Sequence, residues 1–200
     1  MKKISLVLSA LLVTALTALL GWTVFYSEAL AAAGETVGWA QFLGRFHPVV
    51  LHLPIGLFAG LIVIEFVSLR LRSTGVERCS LLLVWLLALS SAATACFGLL
   101  LASNGDYSGA SYDWHKWLGI VFAAAAMLVA LLKVLSVYSE KGRLYYQFLM
   151  LGLLVLLPLV GHNGGNLTHG TGYLTQYAPD WLSSLLGGAP EDVPEDALLE

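Results

Sequence analysis

Five histidines, His47, His52, His115, His162 and His169, are the side chains of this sequence best suited to chemistry. Imidazole gives or takes a proton near neutral pH and is the commonest side-chain ligand of iron, copper and zinc. All five flank apolar stretches. His47 and His52 open one, His115 opens another, His162 closes a third, and His169 follows it in a glycine-rich run. Three segments therefore bring imidazoles to one level. His52 is the deepest, about 7 Å below His47 at roughly 1.5 Å per helical residue, and is the least easily explained as a helix cap. The competing reading of each histidine is an interfacial polar residue that caps a helix end.

Glu65 lies 18 residues after His47, and Lys133 lies 18 residues after His115. Both then sit about 27 Å along their helices from those histidines, at one common depth. They form a candidate structural ion pair, with separate snorkelling to the interface as the alternative. No nucleophile–base pair stands out. Ser90, Ser91 and Thr94 have no histidine beside them and read as small packing residues whose hydroxyls bond back to the helix. Cys79 and Cys96 fit neither a zinc ribbon nor a c-type haem motif. Whether the chain is an enzyme stays open at this level.

The elements that must position these residues are membrane helices. Of the 200 residues, 58% are hydrophobic and 12% charged, and the net charge is -3. Soluble chains carry about 45–50% and about 25%. This excludes a disordered chain, a nucleic-acid binder and a disulfide scaffold, and leaves an integral protein of the lipid bilayer. Five apolar stretches, about Ile4–Tyr26, His47–Leu69, Ser80–Ala102, His115–Tyr138 and Tyr145–Val160, approach or exceed the roughly 20 residues that cross a bilayer. A spanning backbone must satisfy its own hydrogen bonds, so each is read as a helix.

The expected architecture is all-α: a four-helix transmembrane bundle over residues 40–178, preceded at 1–33 by a signal peptide or signal anchor. Lys2 and Lys3 supply the positive start of that first segment, and Ala31-Ala32-Ala33 a small-residue cleavage site. No internal repeat is visible. Residues 161–172 read as an outer lid, because residues 161–170 hold four glycines, each costing a helix about 1 kcal/mol. Residues 179–200 form an acidic tail or linker.

Small residues mark where helices approach. His115, Gly119, Ala123, Ala126, Ala130 and Lys133 share one face of the fourth segment. Ala88, Ser91, Ala92, Ala95 and Gly98 do the same in the third, and Gly56 and Gly60 form a G-x-x-x-G pair in the second. Pro54 is expected to bend the second helix just below His52. Charge sets the orientation. With the N-terminus cytoplasmic, Lys2, Lys3, Arg70, Arg72, Arg78, Lys141 and Arg143 face inside, and only Arg45 and Lys116 face out, as the positive-inside rule requires. All five histidines and the C-terminus then lie on the outer, non-cytoplasmic side of the membrane.

The motifs now resemble a family. Arg45-Phe46-His47-Pro48 with Leu51-His52-Leu53-Pro54-Ile55-Gly56 is similar to the opening of an uncharacterised bacterial membrane domain often fused to planctomycete-type cytochrome c modules. Trp114-His115-Lys116-Trp117-Leu118-Gly119 resembles its later helix start. Gly161-His162 through Leu167-Thr168-His169-Gly170, with Tyr173-Leu174, resembles its ending. The resemblance implies a four-helix membrane domain associated with periplasmic c-type cytochromes, and no established activity. No C-x-x-C-H is present, so covalent haem is expected on a separate partner.

The leading functional expectation is a haem b protein relaying electrons at the outer face. Its ligands are expected to be His52 and His115, with His162 as alternative partner and His47 and His169 as further candidates. A copper or zinc site on His52, His115 and His162 is the second reading. A non-catalytic anchor for a periplasmic redox protein is the third, and a transporter fits less well because few polar groups face the interior. The tail, with six carboxylates from Asp180 onward and no base, is expected to favour a basic c-type cytochrome as partner.

Overall fold

The computed structural model describes residues 2–34, 37–71, 73–103 and 107–185. All of its regular structure is helical: α1 (Lys2–Ala33), α2 (Gly38–Gly44), α3 (His47–Val50), α4 (His52–Ser68), α5 (Thr74–Ala102), α6 (Ala110–Ser136), α7 (Glu140–His169) and α8 (Asp180–Leu185). Five stretches are long and apolar enough to cross a membrane: 5–33, 38–68, 74–102, 110–136 and 140–169. The second is built from α2, α3 and α4 in succession, interrupted at Arg45-Phe46 and at Leu51.

Local chemistry sets several boundaries. Ser73 and Ser139 stand before α5 and α7, and each side chain accepts a backbone N–H three residues on, from Val76 and Gly142. Such caps satisfy donors that the first turn leaves free. Gly170 ends α7 at φ 97, in the region that favours glycine. Pro54 falls in the first turn of α4, where a missing N–H is harmless. The helical run is interrupted at Leu51, three residues before Pro54 and next to His52.

In chain order, α4 packs on α5, α5 on α6 and α6 on α7. Among the described residues no comparable backbone packing closes α7 onto α4. Helix α1 lies against both α5 and α6, burying Leu20, while the Thr23 hydroxyl donates to Cys96 Sγ at 3.4 Å. The core runs through Phe58 and Leu61 of α4, Val84, Leu87 and Ala88 of α5, Met127, Val129 and Ala130 of α6, and Leu153 of α7. The α5–α6 seam is lined by Ala88, Ala92, Ala123, Ala126 and Ala130. Small side chains let backbones approach where lipid tails provide no hydrophobic drive between helices. The outer faces remain apolar, with Trp22, Val63, Phe66, Leu82, Phe148 and Val155 exposed, as suits hydrocarbon surroundings.

The glycine-rich residues 161–169, expected as a lid, continue α7 to His169. Glycine propensity is a weak prior that tertiary contact overrides. Here Asn163 Nδ2 donates to Leu159 O at 2.9 Å and Thr168 Oγ1 to Gly164 O at 3.0 Å, which follow the helix rather than leave it. Turns begin only after Gly170.

Candidate functional site

His47 is carried inward by the short helix before it. At Gly44, α2 touches α5 backbone to backbone, and a Cβ there would fall 2.6 Å from the Leu101 nitrogen. The chain turns at Arg45-Phe46 and lays the His47 ring on α5. Its Nδ1 lies 2.9 Å from Thr94 O. The ring rests on Gly98, where a Cβ would meet Nδ1 and Cε1 at 2.9 Å. Gly98 stands one turn after Thr94. The Thr94 carbonyl has two lone pairs, one for its own helix, and the missing side chain at Gly98 opens the path to the other.

His115, in the first turns of α6, does the same on α7. Its Nδ1 lies 3.0 Å from Val160 O. Its ring rests on Gly164, where a Cβ would come within 2.8 Å of Cε1 and 3.0 Å of Nδ1. A carbonyl only accepts, so Nδ1 carries the proton in both rings, and a neutral ring then keeps its lone pair on Nε2. The two ring centroids are 6.2 Å apart at an interplanar angle of 83°. Both histidines are partly buried.

The other three histidines lie elsewhere. His52 is exposed, with Nδ1 3.3 Å from Val49 O in the preceding turn. On α4 it points about 200° away from buried Pro54. His162 accepts from Asn166 Nδ2 at 3.2 Å. Val160 and Gly164 share the α7 face turned to His115, and His162 falls on the opposite side of the helix. His169 is exposed and stacks on Tyr173 with centroids 4.2 Å apart. The expected ligand pair of His52 with His115, and the expected metal set His52, His115 and His162, are therefore not assembled; the structure pairs His115 with His47. Among the described residues no group of three His, Cys, Asp or Glu side chains converges.

A second polar cluster lies at the other end of the bundle. Lys133 Nζ is 2.7 Å from Glu65 Oε1. The Tyr146 hydroxyl donates to the same oxygen at 3.0 Å, and the Ser80 hydroxyl donates to it as well. Lys133 also stands 4.9 Å from the centre of the Tyr146 ring. Glu65, Ser80, Lys133 and Tyr146 come from α4, α5, α6 and α7 in turn, so one carboxylate oxygen ties four helices together. Sequence alone brings out Glu65 and Lys133 by equal spacing; Ser80 and Tyr146 carry no signal beyond their polarity.

Among the described residues all regular structure is helical and five stretches are of membrane length; with apolar outer faces and polar clusters at two depths, this is a multi-pass α-helical membrane protein. A family described as "predicted membrane protein (DUF2231)" matches residues 43–176, and the chain belongs to that family. The match spans α3 to α7, both tethered histidines and the Glu65 cluster, and includes the three motifs on which the resemblance to a membrane domain of unknown function rests. No curated protein and no solved structure matches the chain.

Proposed function

We propose that this protein is a haem b-binding electron-transfer component of a bacterial inner membrane, in which His47 and His115 would hold the haem at the periplasmic face. The observation that carries this reading is the pair of tethered imidazoles with centroids 6.2 Å apart. Metal-bound histidine almost always donates its second ring N–H to a carbonyl or carboxylate, which fixes the tautomer and the ring direction. Thr94 O and Val160 O supply that tether here.

Two imidazoles without a third protein ligand would suit haem, whose iron is already held by its macrocycle. Bare zinc takes three or four protein ligands, which the described residues do not gather at this place. Haem bound there supplies a one-electron iron couple. The chain's own part is to hold the two rings against Gly98 and Gly164, to keep each Nδ1 proton on its carbonyl, and to surround the pair with apolar helices that limit water. Electron exchange is with a periplasmic c-type cytochrome or redox enzyme.

The test is an absorption spectrum of detergent-purified protein from its native host, oxidised and then reduced, with metal analysis of the same sample. A Soret band with b-type reduced bands is expected. Stoichiometric copper or zinc without haem would replace this reading by a metal site, and neither would leave the protein as an anchor.

A further inference from the structure

We infer that the membrane domain is a tandem duplication of one helical hairpin, and that the histidine pair is a single composite site to which the two copies contribute equivalent units. His47 and His115 are 68 residues apart, and so are Glu65 and Lys133. So are Ser68 and Ser136, whose hydroxyls donate to the carbonyls of Glu65 at 2.6 Å and Lys133 at 2.7 Å. Buried Pro54, Phe58 and Leu61 correspond at the same spacing to buried Phe122, Ala126 and Val129. On the second helix of each hairpin the spacing is 66. It relates the capping Ser73 to Ser139, the cluster members Ser80 to Tyr146, buried Leu87 to Leu153, the acceptor Thr94 to Val160, and Gly98 to Gly164. The two-residue difference falls in the connection between the helices, where length changes are tolerated.

Each hairpin crosses the membrane twice and returns to its starting side. The copies are therefore parallel repeats, related by an axis along the membrane normal. On such an axis a residue meets its own counterpart. The protein shows this at both ends: His47 against His115, and Glu65 against Lys133. At one end the counterparts are identical and make a symmetric ligand pair. At the other, an identical charged residue would repel itself, and the fused chain carries opposite charges instead. The symmetry is broken at the seams. Small residues Ala88, Ser91 and Ala92 of α5 are replaced in α7 by the larger Leu154, Leu157 and Pro158. The α5–α6 seam is accordingly tight, and the α7–α4 seam is spanned by the long Tyr146 side chain.

The composite site, which rests on the haem reading, would hold its group through two equivalent imidazoles, one from each copy. The duplication itself does not rest on that reading, so two measurements separate them. The first compares E65K, K133E and the exchange E65K/K133E in detergent, by thermal unfolding and size-exclusion chromatography. Each single variant is expected to lower the apparent Tm by roughly 10 °C, and the exchange to recover at least half of the loss. An exchange no better than the single variants means that the positions are not equivalent and overturns the duplication. The second compares H47A with H115A by bound haem and G98A with G164A by the reduced haem spectrum. Equal losses within a pair, and equal spectral shifts, are expected. A loss confined to one histidine overturns the composite site, whatever the exchange shows. Should no haem be present, ring-nitrogen NMR takes its place, and two rings with matching Nδ1–H signals, each displaced by its own glycine substitution, are expected; a single tethered ring overturns the composite site.

Discussion

At the scale of single residues, a histidine's usefulness here depends on what holds its ring. His47 and His115 are each clamped between a carbonyl and a glycine, whereas His52 and His169 are exposed. H47A or H115A should reduce bound haem at least about tenfold, the scale at which lost ligands and their supports act. H52A and H169A should leave it within about twofold. Haem per protein, measured by pyridine haemochrome against protein concentration, checks this. The residue types and their shared membrane face were legible in the sequence, but the pairing was not. Depth along an uninterrupted helix favours His52. The true geometry is set by Gly44, where α2 meets the α5 backbone, and by the turns at Arg45-Phe46 and Leu51. Hydropathy does not register those turns, because every residue around them is apolar or interfacial.

At the scale of elements, five spans follow from apolar run length alone, and the structure has five. Residues 161–169 are helical despite their glycine content, because at least one of these glycines is a contact. Gly164 must lack a side chain for His115 to reach Val160 O, whereas a Cβ at Gly161 would meet nothing within 4 Å. G164A should therefore cost roughly 1–3 kcal/mol through overpacking. G161A should be neutral or gain up to about 1 kcal/mol. Thermal unfolding of the two variants in one detergent distinguishes a contact glycine from a flexible one. The first segment also behaves as an element of the bundle. It buries Leu20, Thr23, Ser27 and Leu30, and it joins α6 through Glu28 and Lys116 at 2.9 Å. That ion pair, with Glu28 more than half exposed, adds at most about 1 kcal/mol. A T23C variant should form a disulfide with Cys96 on mild oxidation, read as the loss of two free thiols in the intact mass. A mature protein that begins after Ala33 could not do so, and N-terminal sequencing would show it.

At the scale of the whole molecule, the equal 18-residue spacings from His47 to Glu65 and from His115 to Lys133 were visible in the sequence, yet they read as two coincident depths and not as a repeat. The reason is physical. In a membrane domain most positions need only be apolar, so duplicated helices diverge freely, and the memory of the duplication survives at the few polar positions that meet on the axis or cap a helix. The same polar positions give the molecule two unlike ends, and the positive-inside rule predicts which end faces the cytoplasm. Of the charges outside the bundle, Arg70, Arg78, Lys141 and Arg143 lie at the Glu65 end, and Arg45 and Lys116 at the histidine end. In a background with Cys79 and Cys96 replaced, S108C should react with a membrane-impermeant maleimide applied to the periplasmic side, and T74C should react only after the membrane is opened. On the proposed function, that labelling pattern would put electron exchange on the periplasmic side. The acidic stretch that begins at Asp180, most of which lies outside the described residues, should steer a basic c-type cytochrome to that end. Steering of this kind raises the on-rate and is screened within about 8 Å at physiological salt. Reduction of a basic cytochrome c by the purified, reduced protein should therefore slow several-fold between low and physiological ionic strength, and truncation after Trp181 should remove most of that dependence. A salt dependence that survives truncation would assign the steering to the folded histidine end, and labelling of T74C in place of S108C would move the whole exchange to the cytoplasmic side.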